Sequence, residues 1–166
     1  MKYLAFYILF YLLPTGNDAS IFPNFNMLGG HNLTISEAES ILGEPCVQMD
    51  KQSTAENGGH QFKTSFVAKS NDKAVLYYMF ESYQSEEEAN KKFDEFYNGN
   101  AALSGFEKME NLGSEAFYQT DKQNFSLLIA RKDNEIVRIK VNKVTSNYSR
   151  INHKMVTEKV IERVNN

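Results

Sequence analysis

Two helix-start signals, each followed by a train of strand-like runs, limit what this chain can fold into more than anything else in it. Ser36-Glu37-Ala38-Glu39 and Ser85-Glu86-Glu87-Glu88 both read as capping boxes, the Ser hydroxyl accepting a helical amide while a Glu reaches back. Gly43-Glu44-Pro45 stops the first helix, with glycine for a left-handed end and proline to forbid continuation. The second carries Ala89, Phe93, Phe96 and Tyr97 at i, i+4, i+7 and i+8, one apolar stripe, and Asn98-Gly99 should end it. Three acids in its first turn favour the positive end of the helix dipole.

Behind the first helix come a weak strand at residues 46–50, a polar loop at 51–59, and a run at 60–69 that alternates Phe62, Thr64, Phe66 and Ala68 against polar neighbours. Residues 74–83 are apolar on both faces, as in a central strand. Behind the second helix, after a connector with a short strand candidate at 106–109, lie runs at 115–120, 124–131 and 135–142. The last two are joined by the hairpin signal Lys132-Asp133-Asn134. Val137, Ile139 and Val141 should face one way, with Arg138 and Lys140 facing the other. A terminal helix over 153–164 places Val156, Val160, Ile161 and Val164 on one side. The predicted fold is α+β: an antiparallel sheet of about six strands in the order α-βββ-α-βββ-α, helices on one face and the other face partly open. The matched order of the two halves hints at internal duplication.

Residues 1–19 combine one lysine, an unbroken apolar run from Leu4 to Leu13 and Pro14-Thr15-Gly16, the build of a secretory signal peptide. The run is about ten residues where a bilayer span needs roughly 20, so we expect no stable membrane span. Residues 20–166 then form a single exported domain, secreted or periplasmic, able to hold a core without staples. Cys46 is the one cysteine, so no intramolecular disulfide forms, and no lipid-attachment cysteine follows the leader. A formal net charge of −3, with acids and bases interspersed, argues against nucleic acid as a partner. A composition rich in Lys, Asn and Glu suits an AT-rich bacterial genome.

No nucleophile elbow, no metal-ligand spacing and no calcium loop occurs, so we expect neither catalytic residues, nor a metal, nor a cofactor. Gly29-Gly30-His31 and Gly58-Gly59-His60 lack the strand and helix that a phosphate cradle needs, and read as loops. Cys46 with His31, His60 or His153 would need hydrogen-bond reach and an orienting group, and a buried core thiol is the simpler reading. The acids Glu86, Glu87 and Glu88 diverge around a helix turn and read as solvated. Twelve Phe and nine Tyr with no Trp supply the core. Tyr77, Tyr78, Tyr83 and Tyr118 carry hydroxyls that want partners, which makes them the ligand-binding candidates. Three sequons, at Asn32, Asn124 and Asn147, would matter only in a eukaryotic secretory route.

The stretch Gly105-Phe106-Glu107, Leu112-Gly113-Ser114-Glu115-Ala116-Phe117-Tyr118, then Leu128 to Asn134, resembles small exported bacterial domains. These are the mycobacterial-type lipoproteins and the extracellular sensor domains of bacterial serine/threonine kinases. Thr34 to Glu39 through Gly43-Glu44-Pro45 is similar to the opening helix of outer-membrane assembly lipoproteins and beta-lactamase-inhibitor-like domains. The lipid-bearing cysteine and the paired cysteines of the kinase sensors are absent here, and no functional residue carries over. The resemblance implies noncatalytic binding or sensing. The expected function is a noncatalytic binding domain for a protein, an envelope component or a small ligand, acting through its open sheet face or the loop at 51–59. The alternatives are an envelope structural or assembly factor, or a hydrolase-type enzyme with a site scattered among Cys46, His60 and the tyrosines.

Overall fold

The computed structural model describes residues 32–56 and 59–163. The leader expected at 1–19, His31 and Val164 lie outside them. Within that range the order is α1 (Ile35–Leu42), β1 (Cys46–Glu56), β2 (Gly59–Ala68), β3 (Val75–Ser82), α2 (Glu86–Asn100), β4 (Phe106–Met109), β5 (Glu115–Thr120), β6 (Phe125–Lys132), β7 (Glu135–Asn142) and α3 (Arg150–Arg163). The strands form one antiparallel sheet in the order β1-β2-β3-β7-β6-β5-β4.

The α+β class and the antiparallel sheet match the sequence reading, and three details correct it. The sheet has seven strands rather than six, because Phe106–Met109 pairs with β5. The expected loop at 51–59 is strand through Glu56: polar residues suffice where β1 needs only β2 for its hydrogen bonds, across a register shift between Gln48 and Lys51.

The third correction is that helices cover both faces. On one face α1 and α3 close over Phe62, Phe66, Leu76, Tyr78, Phe80, Leu128, Val137, Ile139 and Val141. On the other, Phe93 and Phe96 of α2 pack on Phe117, Leu127, Ile129 and Ile136. The physical reason lies in β5 and β6, which bury apolar residues on both sides of the pleat, joined by Ile136 of β7, so the sheet needs a second cover there. A two-fold axis normal to the sheet would relate β1-β2-β3 to β5-β6-β7 but would keep the helices on one face. The opposed placement of α1 and α2 departs from that two-fold symmetry.

Helix caps are sharply defined. Thr34, not Ser36, is the N-cap of α1, and its box closes with Glu37. Gly43 ends α1 at φ +74°, where a Cβ would lie 1.8 Å from the Asn147 carbonyl oxygen. Glycine there allows the connector before α3 to lie against α1, fixed by the Ser149 amide donating to the Ile41 carbonyl at 2.9 Å. That connector carries Tyr148 into the site described next.

Candidate functional site

Tyr118 on β5 and Ser126 on β6 are diagonal neighbours, since Tyr118 pairs with Leu128 and Thr120 with Ser126. Both point toward α3, whose first turn brings His153 down onto the same spot, and Tyr148 arrives from the connector. The Tyr148 hydroxyl lies 2.8 Å from His153 Nδ1 and 2.6 Å from Ser126 Oγ. Ser126 Oγ donates to the Tyr118 hydroxyl at 3.1 Å, which lies 3.3 Å from the Tyr148 hydroxyl. His153 Nε2 sits 3.2 Å from the Ile139 carbonyl oxygen.

A carbonyl oxygen only accepts, so we assign the imidazole proton to Nε2, leaving Nδ1 as acceptor. One proton order then satisfies the chain: Ser126 donates to Tyr118, Tyr118 to Tyr148, Tyr148 to His153, and His153 to the backbone. His153 and Ser126 are wholly buried. Burial lowers the imidazole pKa to about 4, against the carbonyl contact that raises it, so His153 is neutral at ordinary pH. Burial also raises the Tyr148 hydroxyl well above the usual phenol range. Each hydroxyl of the cluster is hydrogen-bonded to another of its members. The cluster is suited to fixing side chains in place.

Above it opens a cleft of about 170 Å³ lined by Tyr118, Thr120, Lys122, Val144, Tyr148 and Arg150. The Arg150 guanidinium lies 4.4 Å over the Tyr118 ring and pairs with Glu107 at 2.5 Å. Lys122 stands in the β5–β6 turn at φ +65°. That turn is clamped by Asp121, whose carboxylate accepts from the amides of Gln123, Asn124 and Phe125. Burial works against the Asp121 charge, but these bonds and the Asn124 side chain prevail and lower its pKa to about 2.

The four tyrosines singled out in the sequence occupy four settings. Tyr118 is in the cluster. Tyr78 is buried beneath α1 and α3, and Tyr83 packs against the α2 aromatics. Tyr77 is half-buried on the opposite side of the sheet from Tyr78, on β3. Cys46 is buried at 4% exposure, its thiol 3.9 Å from the Ile35 carbonyl and raised to about 11 by burial and the nearby Glu39. His60 is exposed at the other end of the β1–β2 ladder, eight residues from the Ala68 that pairs with Cys46, or about 26 Å along the strand. Cys46 and His60 do not meet. Among the described residues no three His, Cys, Asp or Glu side chains converge as metal ligands. No described helix is long and apolar enough to cross a membrane.

Sequence reasoning missed Ser126, Tyr148, Arg150 and Lys122, and weighed His153 only as a partner for Cys46 and as the start of a helix. Two signals were present. Ser126 interrupts the inward set of Leu128 and Ala130, and His153 leads the stripe of Val156 and Val160 at i+3 and i+7. No protein-family model matches the chain, and no curated protein sequence is significantly similar to it.

Proposed function

We propose that this is an exported, noncatalytic binding domain whose ligand site is the cleft at the head of α3. The carrying observation is the cleft's construction: aromatic walls and two cations mounted on a side-chain network whose hydroxyl protons are already committed. Such a network holds Tyr118 and Tyr148 rigidly, and preorganised walls spare a ligand the cost of ordering them. Ser126 Oγ lies 3.2 Å from His153 Nδ1 and 2.6 Å from the Tyr148 hydroxyl, but Ser126 and His153 are both wholly buried beneath the cleft, where no substrate reaches the serine, and this favours binding over hydrolysis. The resemblance to exported lipoproteins and sensor domains agrees with this reading, and the apolar leader supports export to the periplasm or medium.

The test is a thermal-shift screen of envelope lipids, glycans and small organic acids, run on the protein and on a Thr120→Trp variant that fills the cleft. A ligand that binds the native state raises the melting temperature by mass action. The reading expects a class that stabilises the protein and leaves the filled variant unmoved; equal shifts in both would place the site elsewhere.

A second reading, docking of a protein or envelope partner, is favoured by a separate observation. α2 covers β5, β6 and β7, whereas among the described residues no helix core packs over β1 and β2 on that side. There Val47 is 48% exposed, and Lys63, Val67 and Val75 are half-buried. Reversing Lys63 to Glu would weaken such docking without touching the cleft.

A further inference from the structure

We infer that the cleft takes a small organic anion, a ring or short aliphatic body bearing one carboxylate, and that Glu107 is the internal competitor for its place. The inference rests on the cleft-binding reading above and adds the ligand's chemistry. Three observations lead to it.

The floor is carbon-rich. The hydroxyls of Tyr118 and Tyr148 are bonded inward to each other, to Ser126 and to His153, so the cleft meets mainly their ring carbons and the Val144 side chain. A ligand body there is held by shape and apolar contact, because the buried hydroxyls are already satisfied.

The rim is cationic. Arg150 stands at the first turn of α3, where the helix dipole adds to its positive field, and Lys122 lines the same cleft. Among the described residues no carboxylate lies within ion-pair distance of the Lys122 ammonium. The neighbouring Asp121 carboxylate is committed to the turn amides. Two cations over an apolar floor call for an anionic head on an apolar body.

Glu107 shows how that head would be held. Its carboxylate meets Arg150 at 2.5 Å while both side chains are about half exposed. Solvent-exposed pairs of this kind contribute little and exchange readily. A ligand carboxylate can replace Glu107 on the guanidinium and gain Lys122 as well, with Arg150 still stacked on Tyr118. The volume of about 170 Å³ limits the body to a single ring or a short chain.

The experiment is an NMR titration of the purified protein, following the Arg150 side-chain Nε–H and the backbone amides of Lys122 and Tyr148. The probes are benzoate and cyclohexanecarboxylate, their neutral amides benzamide and cyclohexanecarboxamide, and acetate. We expect both ring carboxylates to saturate, at least tenfold tighter than the amides and tighter than acetate. Glu107→Gln should tighten ring-carboxylate binding several-fold by removing the competitor, and Arg150→Gln should weaken it by at least fivefold. Equal binding of acid and amide would overturn the anion assignment while leaving the cleft a binding site, and an unchanged or weaker affinity in Glu107→Gln would overturn the role of Glu107. Silence from all five probes, with a thermal-shift ligand of another class acting at the cleft, removes this inference alone. Silence in both experiments removes it together with the reading beneath it.

Discussion

The His153 imidazole is the residue through which the site and the stability of the fold are most tightly joined. Its folded pKa, lowered to about 4 by burial, lies below the 6.5 of an unfolded chain. The unfolded state therefore takes up a proton first, and stability should fall as pH drops from about 6.5 toward 4. Glu135 works in the opposite sense. Burial, then the nearby Asp133, raise it to about 7, and its Oε2 is buried with no hydrogen-bond partner among the described residues. The folded state holds that proton longer than the unfolded one, so this contribution is lost as pH rises from about 4.5 through 7. The two windows overlap with opposite slopes, so urea denaturation across pH 4–8 should give a shallow profile for the protein, whereas Glu135→Gln, without the Glu135 contribution, should lose stability more steeply as pH drops from about 6.5 toward 4. Identical profiles for protein and variant would contradict the Glu135 assignment. Tyr148→Phe removes the 2.8 Å donor to His153 Nδ1 and leaves a buried acceptor without it, for which we expect a loss of about 1–3 kcal/mol. Cys46, apolar in its surroundings and held protonated, should react with iodoacetamide slowly in the native protein and quickly in denaturant.

At the scale of elements, turns and caps decide where the site residues stand. Gly105 lies at φ +81° with the Thr120 carbonyl oxygen 1.9 Å from where a Cβ would be. Gly105→Ala should therefore destabilise by more than about 1 kcal/mol and distort the cleft wall at Thr120, measurable by chemical denaturation. Thr34→Ala should cost about 1 kcal/mol through loss of the α1 cap, with little effect on the cleft. The strands β6 and β7 and their Asp133 turn were legible in the sequence because alternation and turn chemistry are local. So was α2, where Ser85 caps and Phe93 and Phe96 are buried as the stripe required. The α1 cap was misplaced by two residues because Thr34 and Ser36 both precede a Glu at +3. The face chosen by α2 was not legible, since an amphipathic stripe says what a helix must bury but not on which side of a sheet. The cleft was hidden for a similar reason. Ser126, Tyr148 and His153 meet only after β6, the connector and α3 fold together, and each alone looks ordinary.

Among the described residues of the whole molecule, α1 and α3 clad one side of the sheet and α2 covers part of the other. The two surfaces proposed for binding are spatially separate: the cleft lies on the α1–α3 side, and the surface with Val47 and Lys63 lies on the α2 side. The edge strand β1 is interrupted by a register shift at Gln48/Lys51, a feature that discourages edge-to-edge pairing between copies. This separation makes the two readings of function distinguishable in one measurement. Backbone amide shifts should be mapped across the protein as the most stabilising ligand of the thermal screen is added. The account predicts changes confined to Thr120, Lys122, Val144, Tyr148, Arg150 and their immediate neighbours, with the network around His153 responding beneath them. Changes centred instead on Val47, Lys63 and Val67, with the head of α3 silent, would contradict it.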